Sequence, residues 1–141
     1  MKTQYTLVAL VLCFISHSQS EEQAIRETLQ KYIKGSSYSD MEMIQAAFYK
    51  DADLFLSKDG QEIWVLTPKQ YAELFQNREQ GVFNGREGKI LTVDQANDIA
   101  MAKAEIRIPN RKLHFVDLFL LKKLSGEWKI ISKAATVLPQ E

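Results

Sequence analysis

The C-terminal third of the chain contains two β-type stretches joined by a tight turn, and this hairpin restricts the possible folds more than any other feature. Apolar side chains alternate with others over residues 113–124 and 128–136, on either side of Ser125 and Gly126. Such alternation about a glycine-containing turn predicts an antiparallel hairpin. One acid, Asp117, falls on the apolar side of the first strand. Because an unpaired buried carboxylate is costly, Asp117 needs a hydrogen-bond donor or belongs to a site.

The hairpin is the last part of a longer series of strands. Short polar turns separate β-rich stretches throughout the second half of the chain, which predicts an antiparallel meander. The predicted strands are residues 89–95, 99–108, 113–124 and 128–136.

The segments before the meander have helical spacing. Apolar residues recur every three or four positions over residues 21–34, and capping boxes predict two further helices that start at Ser39 and at Thr67. A turn at Asp59-Gly60 predicts a hairpin between these two helices, with Phe55 opposite Trp64. The order indicates an α+β fold with three helices packed on one face of a curved antiparallel sheet.

Residues 1–20 have the pattern of a secretory signal peptide. Lys2 precedes an uncharged apolar run that is too short to span a bilayer, and a polar end with small residues follows. We expect cleavage before Gln19 or before Glu21, which leaves one domain over residues 21–141 in a secreted or periplasmic location and away from the membrane. An uncleaved anchor, or a lipoprotein signal with Cys13 as the modified residue, are the alternatives.

The composition of the remaining chain excludes several kinds of site. Loss of residues 1–20 removes the single cysteine, leaves His114 as the single histidine, and removes Lys2, so that the net charge changes from zero to about −1. Disulfides and thiolate catalysis are therefore excluded, a nucleic-acid surface is disfavoured, and we expect no metal site and no cofactor. Residues 79–88 contain three glycines but no phosphate-binding motif, so we interpret them as a flexible connector.

Strict alternation along the meander assigns each side chain to one face of the sheet. Asp117 then lies inward between Ala104 and Ala134 on the neighbouring strands, and His114 points to the opposite face. The predicted inward side chains are Leu91, Val93, Ala102, Ala104, Ile106, Ile108, Leu113, Phe115, Asp117, Phe119, Leu121, Trp128, Ile130, Ser132 and Ala134. The candidate donors to Asp117 are Tyr32, Tyr71, Arg78 and Trp64. Asp117 either satisfies a structural hydrogen bond or lines a pocket.

The opposite face carries an apolar group that we call the outer patch: Val116, Leu118, Leu120 and Ile131. On unbroken alternation it is rimmed by Lys103, Lys122, Lys129 and Lys133. An apolar patch with a charged rim is typical of a homodimer interface. The alternatives are that a terminal segment covers this patch, or that the chain simply tolerates a mixed surface.

The spacing of particular residues resembles a known superfamily, nuclear transport factor two-like (SnoaL-like), and within it the putative lumazine-binding family. The residues that carry the resemblance in the hairpin are Phe115, Asp117, Phe119, Leu121, Lys123, Gly126, Trp128, Lys129, Ile130, Ile131 and Lys133. Those in the helices are Ala24, Ile25, Thr28, Leu29, Tyr32, Ile33 and Gly35 in the first, Ala47 and Phe48 at the end of the second, and Arg78 at the end of the third. The resemblance implies a cone of helices closed against a curved sheet. In related enzymes, such as ketosteroid isomerase, polyketide cyclases and scytalone dehydratase, the cone holds a carboxylate base with tyrosine or histidine partners.

We therefore expect a secreted domain that binds a small apolar or aromatic molecule in the cone. The expected lining is Phe48, Phe55, Trp64, Tyr71, Arg78, Phe115, Asp117, Phe119 and Trp128. One alternative is an isomerase, cyclase or dehydratase in which Asp117 moves a proton and Tyr32 or Tyr71 donates to an oxyanion. The other is a non-catalytic protein-interaction module that acts through the outer patch.

Overall fold

The computed structural model describes residues 4–139, and side chains from Ser20 onward. The predicted signal peptide therefore lies largely outside the described side chains, and its cleavage stays a prediction. No helix within the described part is both long and apolar enough to cross a bilayer. The elements in chain order are α1 (Gln4–Ser37), α2 (Met41–Ala47), β1 (Phe48–Lys58), β2 (Gln61–Leu66), α3 (Pro68–Glu73), β3 (Glu87–Ala96), β4 (Ile99–Ile108), a 3-10 turn (Pro109–Arg111), β5 (Leu113–Leu124) and β6 (Glu127–Val137).

The three predicted helices are present, but two of them are short. Helix α3 begins with the predicted capping box, in which the Thr67 hydroxyl accepts from the Gln70 amide. Helix α2 is capped by Asp40, which accepts from the Met43 amide, and not by Ser39 as predicted. Ser39 instead has a positive φ and is buried. Helices α2 and α3 are each only about two turns long, so they are stabilised mainly by packing on their neighbours.

Six strands form one sheet in the order β2-β1-β6-β5-β4-β3. All neighbours are antiparallel except β1 and β6, which are parallel. The sheet is therefore mixed, and the prediction of a purely antiparallel sheet was wrong for this pair. The two strands are far apart in the chain, so no turn between them indicates their relative direction.

The register between β4 and β5 places Ala104 opposite Asp117, as predicted. Between β5 and β6 a bulge intervenes: Leu121 pairs with Ile130 but Leu120 pairs with Ser132, so Ile131 is an extra residue. One inserted residue exchanges the two faces of the strand beyond it. Ser132 and Ala134 were therefore wrongly predicted to face inward, and Ala135, not Ala134, lies opposite Asp117.

The same bulge brings a charged side chain into the core. Lys133 pairs with the inward residue Phe119 and is only 2% exposed, although unbroken alternation had placed it on the outer rim. Two smaller register errors have similar origins. A bulge at Leu91 turns that side chain outward, and Phe55 pairs with Val65 while Trp64 pairs with Leu56.

The core lies between the helices and the inner face of the sheet. Tyr32 of α1 is fully buried, with edge-on contacts to Phe48 and Phe119. Helix α1 approaches β3 closely at Gly88, where an added Cβ would stand 2.6 Å from Ile33 Cγ2. Glycine at this position therefore sets how closely α1 can approach the sheet.

Candidate functional site

A cavity of about 340 Å³ opens between α3, the β1–β2 hairpin and the ends of β4, β5 and β6. Its walls are mainly apolar and its floor is polar. The lining residues are Leu56, Ser57, Trp64, Tyr71, Leu74, Phe75, Arg78, Arg86, Ile108, Arg111, Leu113, Phe115, Asp117, Lys133 and Ala135.

Asp117 is at the floor of the cavity and is 1% exposed. Its Oδ2 accepts a hydrogen bond from the Tyr32 hydroxyl at 2.7 Å and lies 3.1 Å from the Lys133 ammonium. The Lys133 Nζ also lies 5.5 Å and 5.3 Å from the ring centres of Tyr32 and Tyr71. The carboxylate is thus held by one cation and one phenol, and both contacts involve a charged group, which makes them stronger than hydrogen bonds between neutral groups.

A second buried cation, Arg86, joins this group from the other side. Its Nη2 donates to the hydroxyls of Tyr32 at 3.0 Å and Tyr71 at 3.3 Å, and its Nε donates to Ser36 Oγ at 3.2 Å. The two hydroxyls lie 3.1 Å apart. Because Tyr32 has a single hydrogen and gives it to Asp117, Tyr71 is the donor between them.

The segment that carries Arg86 is anchored to the helices. The Asn84 side chain donates to Ser36 O at 2.7 Å, the Asn84 amide donates to Ser37 O at 2.9 Å, and Ser37 Oγ donates to Arg86 O at 2.6 Å. Residues 84–86 of the predicted flexible connector are therefore held against the end of α1, and residues 87 and 88 belong to β3. Their glycine content had indicated a loop, but hydrogen bonds to the end of α1 determine its conformation.

Burial and charge act together on the ionisable groups of the floor. Burial, and next the negative charge of Asp117, raise the pKa of Tyr32 well above the ordinary value of tyrosine. Burial acts to lower the pKa of Arg86, but the neighbouring Tyr71, Tyr32 and Asp117 more than offset it and raise that pKa. At neutral pH the floor therefore holds a neutral Tyr32 and a cationic Arg86.

The structure brings together five of the residues predicted to line the site and separates the others. The five at the cavity are Trp64, Tyr71, Arg78, Phe115 and Asp117. Tyr32 lies beneath them and is the one of the four predicted donors that bonds to Asp117. Arg78 is instead stacked on Phe75, with Cζ 5.3 Å from the ring centre.

The remaining four predicted lining residues are not at the cavity. Phe48, Phe119 and Trp128 are buried in the packed core. Phe55 pairs with Ala134 and therefore lies on the outer face of the sheet. Aromatic side chains of a filled core and of a pocket wall have the same sequence pattern, which is why periodicity could not separate them.

Sequence reasoning missed Arg86 and Lys133, the two cations of the floor. Lys133 was hidden by the bulge, although it belongs to the motif that carries the family resemblance. Arg86 lies in a segment without periodicity. His114 lies on the outer face as predicted, with Nε2 2.6 Å from Glu105 Oε1. Within the described residues, no group of three or more histidine, cysteine or acidic side chains could hold a metal ion.

The chain matches one known protein family. A family model described as "Putative lumazine-binding" matches residues 20–134. Among curated proteins, none matches the sequence.

Solved structures show the same fold. An NTF2-like protein of unknown function from Shewanella baltica OS155 has a TM-score of 0.75 at 23% identity, covering 86% of this chain and 96% of that chain. An NTF2-like protein of unknown function from Silicibacter pomeroyi DSS-3 has a TM-score of 0.76 at 16% identity, covering 86% of this chain and 98% of that chain. An NTF2-like protein of unknown function from Methylobacillus flagellatus KT has a TM-score of 0.72 at 26% identity, covering 85% of this chain and 94% of that chain. The chain therefore has the NTF2-like fold.

Proposed function

The chain belongs to the putative lumazine-binding family, and from this membership and its cavity we propose that it is a small-molecule-binding domain. The observation that carries the proposal is the cavity of about 340 Å³ above Asp117. Mainly apolar walls with a few polar groups at one end are typical of sites for small organic ligands, and the volume is at the lower end of the usual range. The aromatic walls, Trp64, Phe75 and Phe115, suit a ring or a short apolar chain.

Binding is favoured over proton-transfer catalysis by the partners of Asp117. A general base must accept a proton, and Asp117 is in a buried ion pair with Lys133 at 3.1 Å. Protonation of the carboxylate would leave the ammonium buried without a counter-charge, which is strongly unfavourable. The hydroxyl of Tyr32 is also already used, because it donates to the same carboxylate.

Two neighbouring alanines give a matched test of this function. Ala135 lines the cavity, whereas Ala134 points to the outer face of the same strand. We expect Ala135→Leu to fill part of the cavity and to weaken ligand binding by about tenfold or more, and Ala134→Leu to leave it unchanged. Native mass spectrometry of protein purified from its own host measures the co-purified ligand in each variant. Equal ligand occupancy in both variants would place the binding site elsewhere.

We also propose that the domain is secreted or periplasmic. Glu21, the first residue after the later predicted cleavage point, lies 2.7 Å from Lys123 Nζ and accepts from Trp128 Nε1 at 2.9 Å. These contacts support a domain that begins near Glu21. The intact mass of the same purified protein tests the proposal, since it should correspond to a chain that starts at Gln19 or Glu21. A mass that includes residues 1–18 would contradict it.

We further propose that two copies associate through the outer patch. Leu118 and Leu120 are each 53% exposed, and Met101 on the adjacent strand is 57% exposed. Apolar side chains this exposed and this close together favour an interface. Of the expected rim, Lys133 is absent because it is buried, while Lys103, Lys122 and Lys129 remain.

Sedimentation equilibrium at micromolar concentration should therefore give the mass of a dimer. Leu120→Glu places a charge in the proposed interface, so we expect it to give a monomer. Val82→Glu makes the same kind of change at an exposed position outside the sheet and should remain dimeric. A monomeric unaltered protein would exclude this interface.

A further inference from the structure

The floor of the cavity has more positive than negative charge. Lys133 is 2% exposed and Arg86 is 9% exposed, and Asp117 is the acid that faces them. Among the described lining residues, the remaining charged groups are Arg78 and Arg111, both cationic and both exposed. One carboxylate therefore faces two buried cations, with two more cations nearer to solvent.

This imbalance is not corrected by the tyrosines. The hydroxyl of Tyr32 donates its hydrogen to Asp117, so Tyr32 is a neutral phenol. Tyr71 donates to Tyr32 and accepts from Arg86, which is also the pattern of a neutral phenol. A buried cation without a counter-charge is strongly unfavourable, because burial removes its hydration. A negative group in the cavity would offset this.

Hydrogen-bonding capacity also remains at the floor. Within residues 20–139, the hydrogen bonds of the Arg86 side chain use Nε and Nη2 but not Nη1. The Lys133 ammonium has three hydrogens, and its one polar contact in the same range is Asp117 Oδ2. Both residues line the cavity, so donors of both cations are available to a bound group there.

We propose that the ligand is an organic monoanion, with a carboxylate head at Arg86 and Lys133 and an apolar body between Trp64, Phe75 and Phe115. The inference rests on the proposed function and names its ligand class. A single negative charge balances the surplus at the floor, whereas a dianion would be repelled by Asp117. A planar carboxylate also matches a guanidinium and an ammonium as paired donors. Among the described lining residues, the other cations are Arg78 and Arg111, which lie near solvent, so the body of the ligand contacts mainly apolar walls.

The test compares two probes of the same shape that differ in charge, 1-naphthoate and 1-naphthamide. Isothermal titration of the full mature chain near neutral pH measures both affinities. We expect the carboxylate to bind about tenfold more tightly than the amide or better, as charge-assisted hydrogen bonds are stronger than neutral ones. This comparison uses the unaltered protein, so it does not depend on whether a variant folds.

A surface variant then locates the effect. Arg111→Gln removes one cation from the cavity lining, and we expect it to weaken naphthoate binding about two- to fivefold without changing naphthamide binding. Lys103→Gln, which removes a charge from the outer face of the same sheet, should change neither affinity.

The outcomes separate this inference from the proposed function. Equal or tighter binding of the amide would overturn the anionic ligand and leave small-molecule binding standing. A neutral molecule co-purified from the host would do the same. Failure of both probes to bind would overturn the carboxylate class proposed here, and only the absence of any co-purified molecule would count against the binding function itself.

Discussion

Replacement of Lys133 by methionine is expected to lower the free energy of unfolding by about 3 to 5 kcal/mol. Methionine keeps much of the length of the lysine stem but removes the ammonium that lies 3.1 Å from Asp117. The carboxylate is 1% exposed and would be left with the Tyr32 hydroxyl as its partner among the described side chains. Removal of one member of a buried ion pair costs far more than the pair contributes. Asp117 loses the cation that contacts it directly, and Arg86, which bonds to the tyrosines and not to the carboxylate, offsets the remaining charge only in part. Urea denaturation measures the loss.

Two variants control this prediction. Lys103→Met makes the same change on the outer face of the sheet and should alter the free energy of unfolding by no more than about 0.5 kcal/mol. Lys133→Met combined with Asp117→Asn removes both charges and keeps an acceptor for Tyr32, so we expect it to be more stable than Lys133→Met alone. A Lys133→Met loss no larger than that of Lys103→Met would show that the ion pair is not buried in solution.

The second large effect is a loss of stability at high pH that depends on Tyr32. The folded state holds the pKa of Tyr32 well above that of an ordinary tyrosine, first through burial and then through the charge of Asp117. Above about pH 10 the unfolded chain therefore loses this proton while the folded chain keeps it. The unfolded state is then favoured, and the free energy of unfolding falls by about 1.4 kcal/mol per pH unit from this group alone. The contribution of Tyr32 to the free energy of unfolding is fully present below about pH 10 and is lost as the pH rises above that value.

The difference between two phenylalanine variants isolates this contribution, because the other tyrosines and the lysines titrate in both. Tyr32→Phe lacks the titrating group, so its stability should fall less steeply above pH 10. Tyr49→Phe, at an exposed position, should keep the slope of the unaltered chain. Denaturant titrations at a series of pH values supply the slopes. If the free energy of unfolding falls equally steeply with pH in the unaltered chain and in Tyr32→Phe, then Tyr32 ionises freely in the folded state.

The position of Asp117 could be predicted because it depends on an unbroken stretch of ladder. Residues Ile99–Ile108 of β4 pair with residues Leu113–Lys122 of β5 without a bulge, so alternation places Asp117 inward and His114 outward. The short turn predicted between the strands at residues 99–108 and 113–124 is a 3-10 turn at Pro109–Arg111. It keeps the two strands in the predicted register, because Ile108 pairs with Leu113. Two-residue periodicity is transmitted through such a turn unchanged.

The donors to the site could be predicted only in part. The helical spacing of α1 places Tyr32 on the buried face with Ile25 and Leu29, so its contact with the sheet was open to prediction. Lys133 lies beyond the bulge at Ile131, which reverses every assignment after it. Whether a strand contains a bulge depends on how it fits the curvature of a sheet built from distant segments. The spacing of apolar residues along one strand carries no information about that fit, so it could not predict the bulge.

By itself the sequence therefore determined the α+β class, the helices and strands with most of their order, and the inward direction of Asp117, since each follows from local periodicity and turn chemistry. Only the tertiary structure decided the parallel pairing of β1 with β6, the inward turn of Lys133 and the insertion of Arg86 between Tyr32 and Tyr71. The strand pairing and the Arg86 contacts join segments far apart in the chain, and Lys133 lies within one hairpin but its ammonium is beside the rings of Tyr32 and Tyr71 from the helices. Their free energy comes from burial and charge pairing that exist only once the segments meet, and the chemistry of the cavity floor is decided there.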